Sequence, residues 1–107
     1  MNLKISSERD GDTLTMTVEG ELTRDSIDSF KSAATTGLTP GDQLAVVCRD
    51  LSYVDSAGLG AFIFVRKAVL DQGGRFYLTS VGGWLQKFLE MTGLEQTLTA
   101  ANRDATS

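Results

Sequence analysis

The sequence predicts one small α/β domain, in which an N-terminal hairpin and then alternating strands and helices form a mixed, mostly parallel sheet backed by helices. Three patterns support this fold class. Residues 13–18 alternate between threonine and apolar side chains, as in a strand with one buried face. Residues 44–48 are apolar throughout, as in a strand covered on both faces. Residues 57–72 carry apolar side chains at helical spacing and end before Gly73.

The hairpin is predicted from two strands, residues 3–7 and 13–18. Its turn contains the Asp10-Gly11 pair, and such pairs favour a tight connection. The buried face of the second strand is expected to hold Leu14, Met16 and Val18.

The first helix is expected between residues 23–26 and Gly37. Thr23, Asp25 and Ser26 are each suited to cap its start, and glycine commonly ends a helix. Because a strand precedes the helix and another follows it, the two strands are expected to pair in parallel through a right-handed crossover. The buried face of the helix is expected to hold Ile27, Phe30 and Ala34.

Residues 57–72 form the longest predicted helix, although 61–65 alone could be a buried strand. Its buried side is expected to hold Leu59, Phe62, Ile63, Val69 and Leu70. The opposite side is expected to hold Gly60, Phe64, Lys67 and Asp71. An outward phenylalanine can be a partner contact, but single exposed apolar residues are common and need no function.

The last third of the chain continues the alternation. It predicts a strand at residues 75–80, a helix after Gly83 and a last short strand at 94–98. The buried face of that helix is expected to hold Leu85, Phe88 and Leu89. The domain is expected to span residues 1–99, and the polar residues 100–107 are expected to form a flexible tail.

Composition excludes several classes of function. A net charge of −4 disfavours direct binding to nucleic acid or anionic lipid. The absence of histidine and the single cysteine leave no usual zinc site or nucleophile–histidine pair, while carboxylates leave magnesium or acid–base chemistry open. Cys48 closes an apolar strand and is expected to be buried and unreactive. No apolar run could span a membrane, so we expect a cytoplasmic, cofactor-free protein that binds other proteins.

The most informative stretch runs from Asp55 to Gly60. It follows the 44–48 strand, at the edge where ligands of parallel sheets bind. Its glycines lack the third glycine of a dinucleotide fingerprint and the lysine of a phosphate-binding loop. Asp55 and Ser56 have no neighbouring base that could activate a nucleophile. From spacing alone, the preferred interpretation is a capped helix start.

Residues 50–60, with the sequence DLSYVDSAGLG, resemble the signature of STAS domains, in particular the bacterial anti-sigma factor antagonists (anti-anti-sigma factors). The resemblance covers nearly the full chain, including residues 20–22 and 89–94. It implies a phosphorylatable serine at the start of the second helix, which is Ser56 by motif match. In this family the unphosphorylated antagonist binds an anti-sigma factor, often a serine kinase of the histidine-kinase-like ATPase fold, and frees a sigma factor. Phosphorylation by the kinase separates the complex, and a serine phosphatase resets it.

The resemblance further implies a partner surface around the phosphorylated serine. That surface is expected to comprise the motif residues Asp55, Ser56, Ala57, Gly58 and Gly60. The predicted fold places Glu21, Thr23 and Tyr53 beside them, and the helical pattern places Phe64 on the outward side of the helix. The two glycines are expected to keep the surface low, so that a partner can approach closely. Two departures from the family are apparent. Thr23 stands where the family often has aspartate, and the short segment after Leu98 predicts an abbreviated or missing terminal helix.

Two other functions stay open. A similar motif occurs in the small cytoplasmic STAS partner of an ABC transporter ATPase for membrane lipid asymmetry, and Ala57 fits that group equally well. There, Ser56 would make interface hydrogen bonds without being phosphorylated. The third hypothesis is a phosphoryl-transfer enzyme that uses Asp55 and Ser56, and it is the weakest because no phosphate-binding lysine or base accompanies them.

Overall fold

The computed structural model describes residues 3–104 and confirms the α/β architecture predicted from the sequence. The elements in order are β1 (Leu3–Asp10), β2 (Thr13–Leu22), α1 (Ile27–Thr36), β3 (Gln43–Val54), α2 (Ser56–Asp71), β4 (Arg75–Thr79), α3 (Gly83–Thr92) and α4 (Glu95–Asp104). The four strands have the order β1-β2-β3-β4. The β1 strand is antiparallel to β2, whereas β2, β3 and β4 are mutually parallel.

One face of the sheet and the helices enclose the hydrophobic core. Phe30 of α1 and Phe62 of α2 meet edge to face in that core, with ring centroids 5.5 Å apart. The strands contribute their alternate residues Leu14, Met16, Val18, Leu44, Val46, Cys48, Phe76 and Leu78. The opposite face carries half-buried side chains such as Thr15 and Val47, so β3 is less covered on its second side than its apolar sequence predicted.

The strands β2 and β3 extend beyond the predicted ranges of 13–18 and 44–48. Their last residues pair with register shifts, and such shifts break the alternation that makes a strand visible in a sequence. The extension brings Leu22 and Val54 side by side, directly before α2. The length of these two strands therefore fixes where α2 begins.

Two predictions about the helices are wrong. Ile63 and Leu70 are 38% and 42% exposed, because α2 instead buries Ala61 and Val65 on its sheet-facing side. Residues 94–98 are not a strand but lead into α4, in which the main-chain N–H of Leu98 donates to the carbonyl oxygen of Leu94. A terminal helix is thus present.

The α4 helix also enters the predicted tail, since residues 100–104 are helical. The rest of that tail, 105–107, lies outside the described residues. No helix within the described range is long and apolar enough to cross a membrane.

A side-chain clasp joins the hairpin to the α1–β3 loop at the end of the sheet away from the start of α2. Nη1 and Nη2 of Arg9 donate to Oδ1 and Oδ2 of Asp42 at 3.1 and 2.6 Å. Nη2 also donates to the carbonyl oxygen of Gly37, and the main-chain N–H of Thr39 donates to Asp42. The Asp42 residue is only 3% exposed. The hydrogen bonds that Asp42 accepts hold its pKa well below the ordinary value. The bonds from Arg9 make the largest contribution, followed by the bond from Thr39.

Candidate functional site

Asp55 caps the N-terminus of α2, as predicted from its residue type. Its backbone is extended, and Oδ1 accepts the main-chain N–H of Gly58 at 2.8 Å. The other carboxylate oxygen, Oδ2, accepts the main-chain N–H of Arg24 at 3.2 Å. The main-chain N–H of Asp55 in turn donates to the carbonyl oxygen of Leu22 at 3.3 Å. One residue therefore fastens the start of α2 to both the end of β2 and the loop before α1.

Ser26 holds the loop between β2 and α1 in place. It is 2% exposed, and its hydroxyl donates to the carbonyl oxygen of Glu21 at 2.9 Å and accepts the main-chain N–H of Thr23 at 3.0 Å. Ser26 immediately precedes α1, but it makes no side-chain cap bond to that helix. Its hydroxyl bonds back toward β2 instead, which holds residues 23–25 beside the start of α2.

The two glycines of the motif have different surroundings. Gly58 is buried, and a Cβ at this position would clash with the carbonyl oxygen of Leu22 and lie 3.0 Å from Cγ1 of Val54. Gly60 is exposed, and nothing would lie within 4 Å of a Cβ there. The fold requires a glycine at position 58, whereas at position 60 it has room for a side chain.

Ser56 is the first residue of α2 and lies exposed on the surface. Its hydroxyl makes no hydrogen bond within residues 3–104. It borders an open groove of about 350 Å³, lined by Thr23, Arg24, Asp25, Asp55, Ser56 and Ala57. Because the side chain is exposed, a group added to this hydroxyl would project into solvent.

Further predicted residues lie along the strands and helix that lead away from the groove. Glu21 and Tyr53 are register partners at the ends of β2 and β3, and Tyr53 is 52% exposed. Phe64 is 48% exposed, and Nζ of Lys31 in α1 lies 4.3 Å from its ring centroid. Phe64 follows Ser56 by eight residues, about 12 Å along the helix axis.

The structure therefore brings most of the predicted residues to one end of the molecule. Thr23, Asp55, Ser56 and Ala57 share the groove, and Gly60 and Phe64 continue the exposed side of α2. Gly58 is buried, so packing within the domain explains why this position is a glycine. Ile63 is also exposed on α2, whereas the helical pattern predicts it on the buried side.

The side chains that line this groove offer hydroxyl and carboxylate groups and the guanidinium of Arg24. No group of three or more metal-binding side chains is found in the part of the chain that the structure describes. The thiol of Cys48 is poorly suited to act as a nucleophile, because the residue is 2% exposed and burial raises its pKa to about 12. An exposed serine at the start of a firmly capped helix is suited to contact with another protein.

The chain is similar to a known family of domains and to several proteins of known name. A family model described as "Mlab, STAS domain" matches residues 5–100. The chain is similar to the anti-sigma-B factor antagonist of Bacillus subtilis, at 26% identity over 98 residues that cover 92% of this chain and 90% of that protein. It also resembles a solved anti-sigma factor antagonist from Mycobacterium paratuberculosis, with a TM-score of 0.77, 16% identity and coverage of 90% and 82%. The Bacillus cell fate determinant SpoIIAA in its phosphorylated form matches with a TM-score of 0.69, 17% identity and coverage of 97% and 100%.

Proposed function

This chain belongs to the STAS domain family, and from that premise we propose that it is an anti-sigma factor antagonist controlled by phosphorylation of Ser56. The unphosphorylated chain binds an anti-sigma factor that is also a serine kinase, and thereby frees a sigma factor in the cytoplasm. Phosphorylation of Ser56 ends that binding, and a serine phosphatase restores it. The chain itself is a binding module rather than an enzyme.

The observation that carries this proposal is the position of Ser56. The side chain is exposed and lies at the first position of α2, where the helix dipole favours negative charge by about 0.3–1 kcal/mol. The cap bond and the contacts that anchor the helix start come from Asp55 and Gly58. The fold should therefore tolerate a phosphate at this serine.

The same phosphate would weaken a protein interface. It adds about −1.5 to −2 charges directly beside Asp55. Asp25 and Arg24 line the same groove and contribute one further carboxylate and one guanidinium, so the phosphorylated groove has a net negative charge. Where the partner presents negative charge or a closely packed surface opposite Ser56, this added charge would cost several kcal/mol, and each 1.4 kcal/mol reduces affinity about tenfold. The expected balance is a folded domain that has lost its partner.

We assign the partner surface to the groove and the exposed side of α2. Gly60 has no steric role in the fold, and an interior glycine costs a helix about 1 kcal/mol relative to alanine. Close approach of a partner at this position would explain why the chain carries that cost. Phe64 and Tyr53 flank the approach with exposed aromatic area, the kind of side chain that contributes most to interfaces.

The name of the matching family model, Mlab, favours a second candidate. In that case the chain is the STAS partner subunit of an ABC lipid transporter ATPase. Ser56 and the groove then form a permanent interface, and phosphorylation plays no part. The two candidates use the same surface but differ in the response to charge at Ser56.

The test is co-purification with tagged wild-type chain, Ser56→Ala, Ser56→Asp and Ser32→Asp from the source cells, with captured proteins identified by mass spectrometry. Ser32 is an exposed serine of α1 and controls for added charge alone. The first candidate predicts an anti-sigma kinase captured by every variant except Ser56→Asp. An ABC ATPase retained by all four chains would support the second candidate instead.

A second step uses the purified captured kinase with Mg²⁺ and ATP. Phosphate incorporation at Ser56, mapped by mass spectrometry, together with a tenfold or greater loss of affinity by calorimetry, is the expected result. An unmodified Ser56, or equal affinity before and after modification, would refute the proposed switch.

A further inference from the structure

The outer edge of the sheet offers an interaction surface that is separate from the Ser56 site. The β1 strand is the first strand of the sheet, and within residues 3–104 no strand pairs with its outer side. All eight of its residues pair with β2 without a register shift, so the edge is long and regular. It contains no proline or bulge, two of the devices that prevent a free edge from pairing with another chain, and charged side chains are the one such device that it carries.

The main-chain groups of this edge are arranged for antiparallel pairing. A two-residue turn makes its flanking residues, Asp10 and Thr13, a hydrogen-bonded pair. Since such pairs alternate along a hairpin, even-numbered residues of β1 direct their N–H and C=O groups toward β2. The odd-numbered residues 3, 5, 7 and 9 therefore direct theirs outward.

The charges on this strand are self-complementary. Lys4 and Glu8 are exposed, and both lie on the sheet face that the helices leave uncovered, because their partners in β2 are Glu19 and Thr15. They stand two residues on either side of Ser6. An antiparallel copy centred on Ser6 would place each lysine opposite a glutamate of the other chain.

We propose that β1 binds β1 of a second copy, so that two four-stranded sheets join around a two-fold axis at Ser6. The outward groups of Leu3 and Ile5 bond to those of Arg9 and Ser7 of the second copy. Lys4 and Glu8 then form non-hydrogen-bonded pairs, in which facing side chains lie closest together. The half-buried Ile5 gains cover on its exposed side.

The chemistry of the strand favours this occupant over an unrelated peptide. β1 carries two cationic and two anionic side chains, Lys4, Arg9, Glu8 and Asp10, so two copies have no net repulsion along the contact although the whole chain has a charge of −4. The serines at positions 6 and 7 are small enough for two strands to approach at the axis. The Ser56 surface lies at the carboxyl ends of β2 and β3 and stays open in such a dimer.

The test is the mass of the full chain measured by analytical ultracentrifugation over a range of concentrations. Wild type should reach the mass of two chains, whereas Lys4→Glu and Glu8→Lys should each weaken dimerisation at least tenfold. An equimolar mixture of these two variants should dimerise again, and so should the double variant, because opposite charges face each other in both. Lys87→Glu, on the exposed surface of α3, is the control for net charge.

Ser7→Pro is a second and independent test. Its N–H points outward and is not used by β2, so proline should remove the dimer and leave the circular dichroism spectrum of the monomer unchanged. A wild-type chain that stays monomeric at all concentrations would overturn the proposal. So would a dimer that neither the charge reversals nor the proline weaken.

Discussion

Gly58 packs directly against the carbonyl group of Leu22, so closely that a side chain at position 58 would overlap the carbonyl oxygen. This contact joins the first turn of α2 to the last residue of β2. The main-chain N–H of Asp55 donates to the same oxygen. The last residue of β2 thus contacts both Asp55, which caps α2, and Gly58, the third residue of that helix.

The first prediction separates the two motif glycines. Gly58→Ala should lower the free energy of unfolding by about 1–3 kcal/mol, because its Cβ has no room against a rigid backbone. Gly60→Ala should raise it by up to about 1 kcal/mol, because alanine suits an open helical position better. Urea unfolding followed by circular dichroism gives both values. Equal effects of the two substitutions would contradict the structural distinction.

The second prediction concerns the cap. Asp55→Ala should lower the free energy of unfolding by about 0.5–2 kcal/mol, since the main-chain N–H groups of Gly58 and Arg24 both lose their acceptor. Asp55→Asn keeps one acceptor oxygen and should lose less. The same denaturation series measures both, and an alanine variant as stable as wild type would show that water replaces the carboxylate without cost.

The third prediction is a pH dependence that arises from Asp42. Its pKa is lower in the folded chain than the ordinary value of 3.8, so the folded state is favoured while the carboxylate is ionised. That contribution is fully present above about pH 5 and is lost progressively as the pH falls toward 2. Unfolding free energies measured at several pH values should show a smaller acid-induced loss in Asp42→Asn than in wild type.

Asp71→Asn is the control for the pH series. Asp71 pairs with Lys67 at 3.4 Å, but its side chain is 65% exposed. Exposed pairs contribute little, so this variant should follow the wild-type pH curve. If Asp42→Asn also followed it, the clasp with Arg9 would not be the source of the acid sensitivity.

The fourth prediction concerns Cys48. Because the thiol is buried and its pKa is raised to about 12, a thiol-specific reagent at about pH 8 should label the native chain far more slowly than a free cysteine, whose pKa is about 8.5. Labelling should become rapid in denaturing urea. Fast labelling of the native chain would mean that the core around β3 opens readily.

The features that could be predicted from the sequence are those that depend on residues close together in the chain. Strict alternation over residues 13–18 predicted a strand with one buried face, and the capping chemistry of Asp55 predicted the start of α2. The bond between Asp55 and Arg24 spans 31 positions and leaves no periodic pattern, so it could not be predicted. The same holds for the contact between Gly58 and Leu22, which depends on how far β2 extends past its regular pairing.

The errors also have physical causes. Ile63 is apolar and lies at helical spacing from the core residues, but the side of α2 that contacts the sheet is rotated toward Ala61 and Val65. Leu94 and Leu98 were assigned to a strand, although residues four apart lie one helical turn from each other and fit a helix equally well. Only packing distinguished the alternatives, since α4 buries Leu98 in the core.

The anchoring of Asp55 has a consequence for how a signal could be encoded. Both oxygens of its carboxylate are engaged by main-chain N–H groups, so it cannot swing away when a negative group arrives on the adjacent serine. Modification of Ser56 would then change the electric potential of the surface while the backbone keeps its shape. A regulator of this kind would keep no altered conformation after the phosphate has been removed. Its output would follow the addition and removal of phosphate at the speed of the enzymes that perform them.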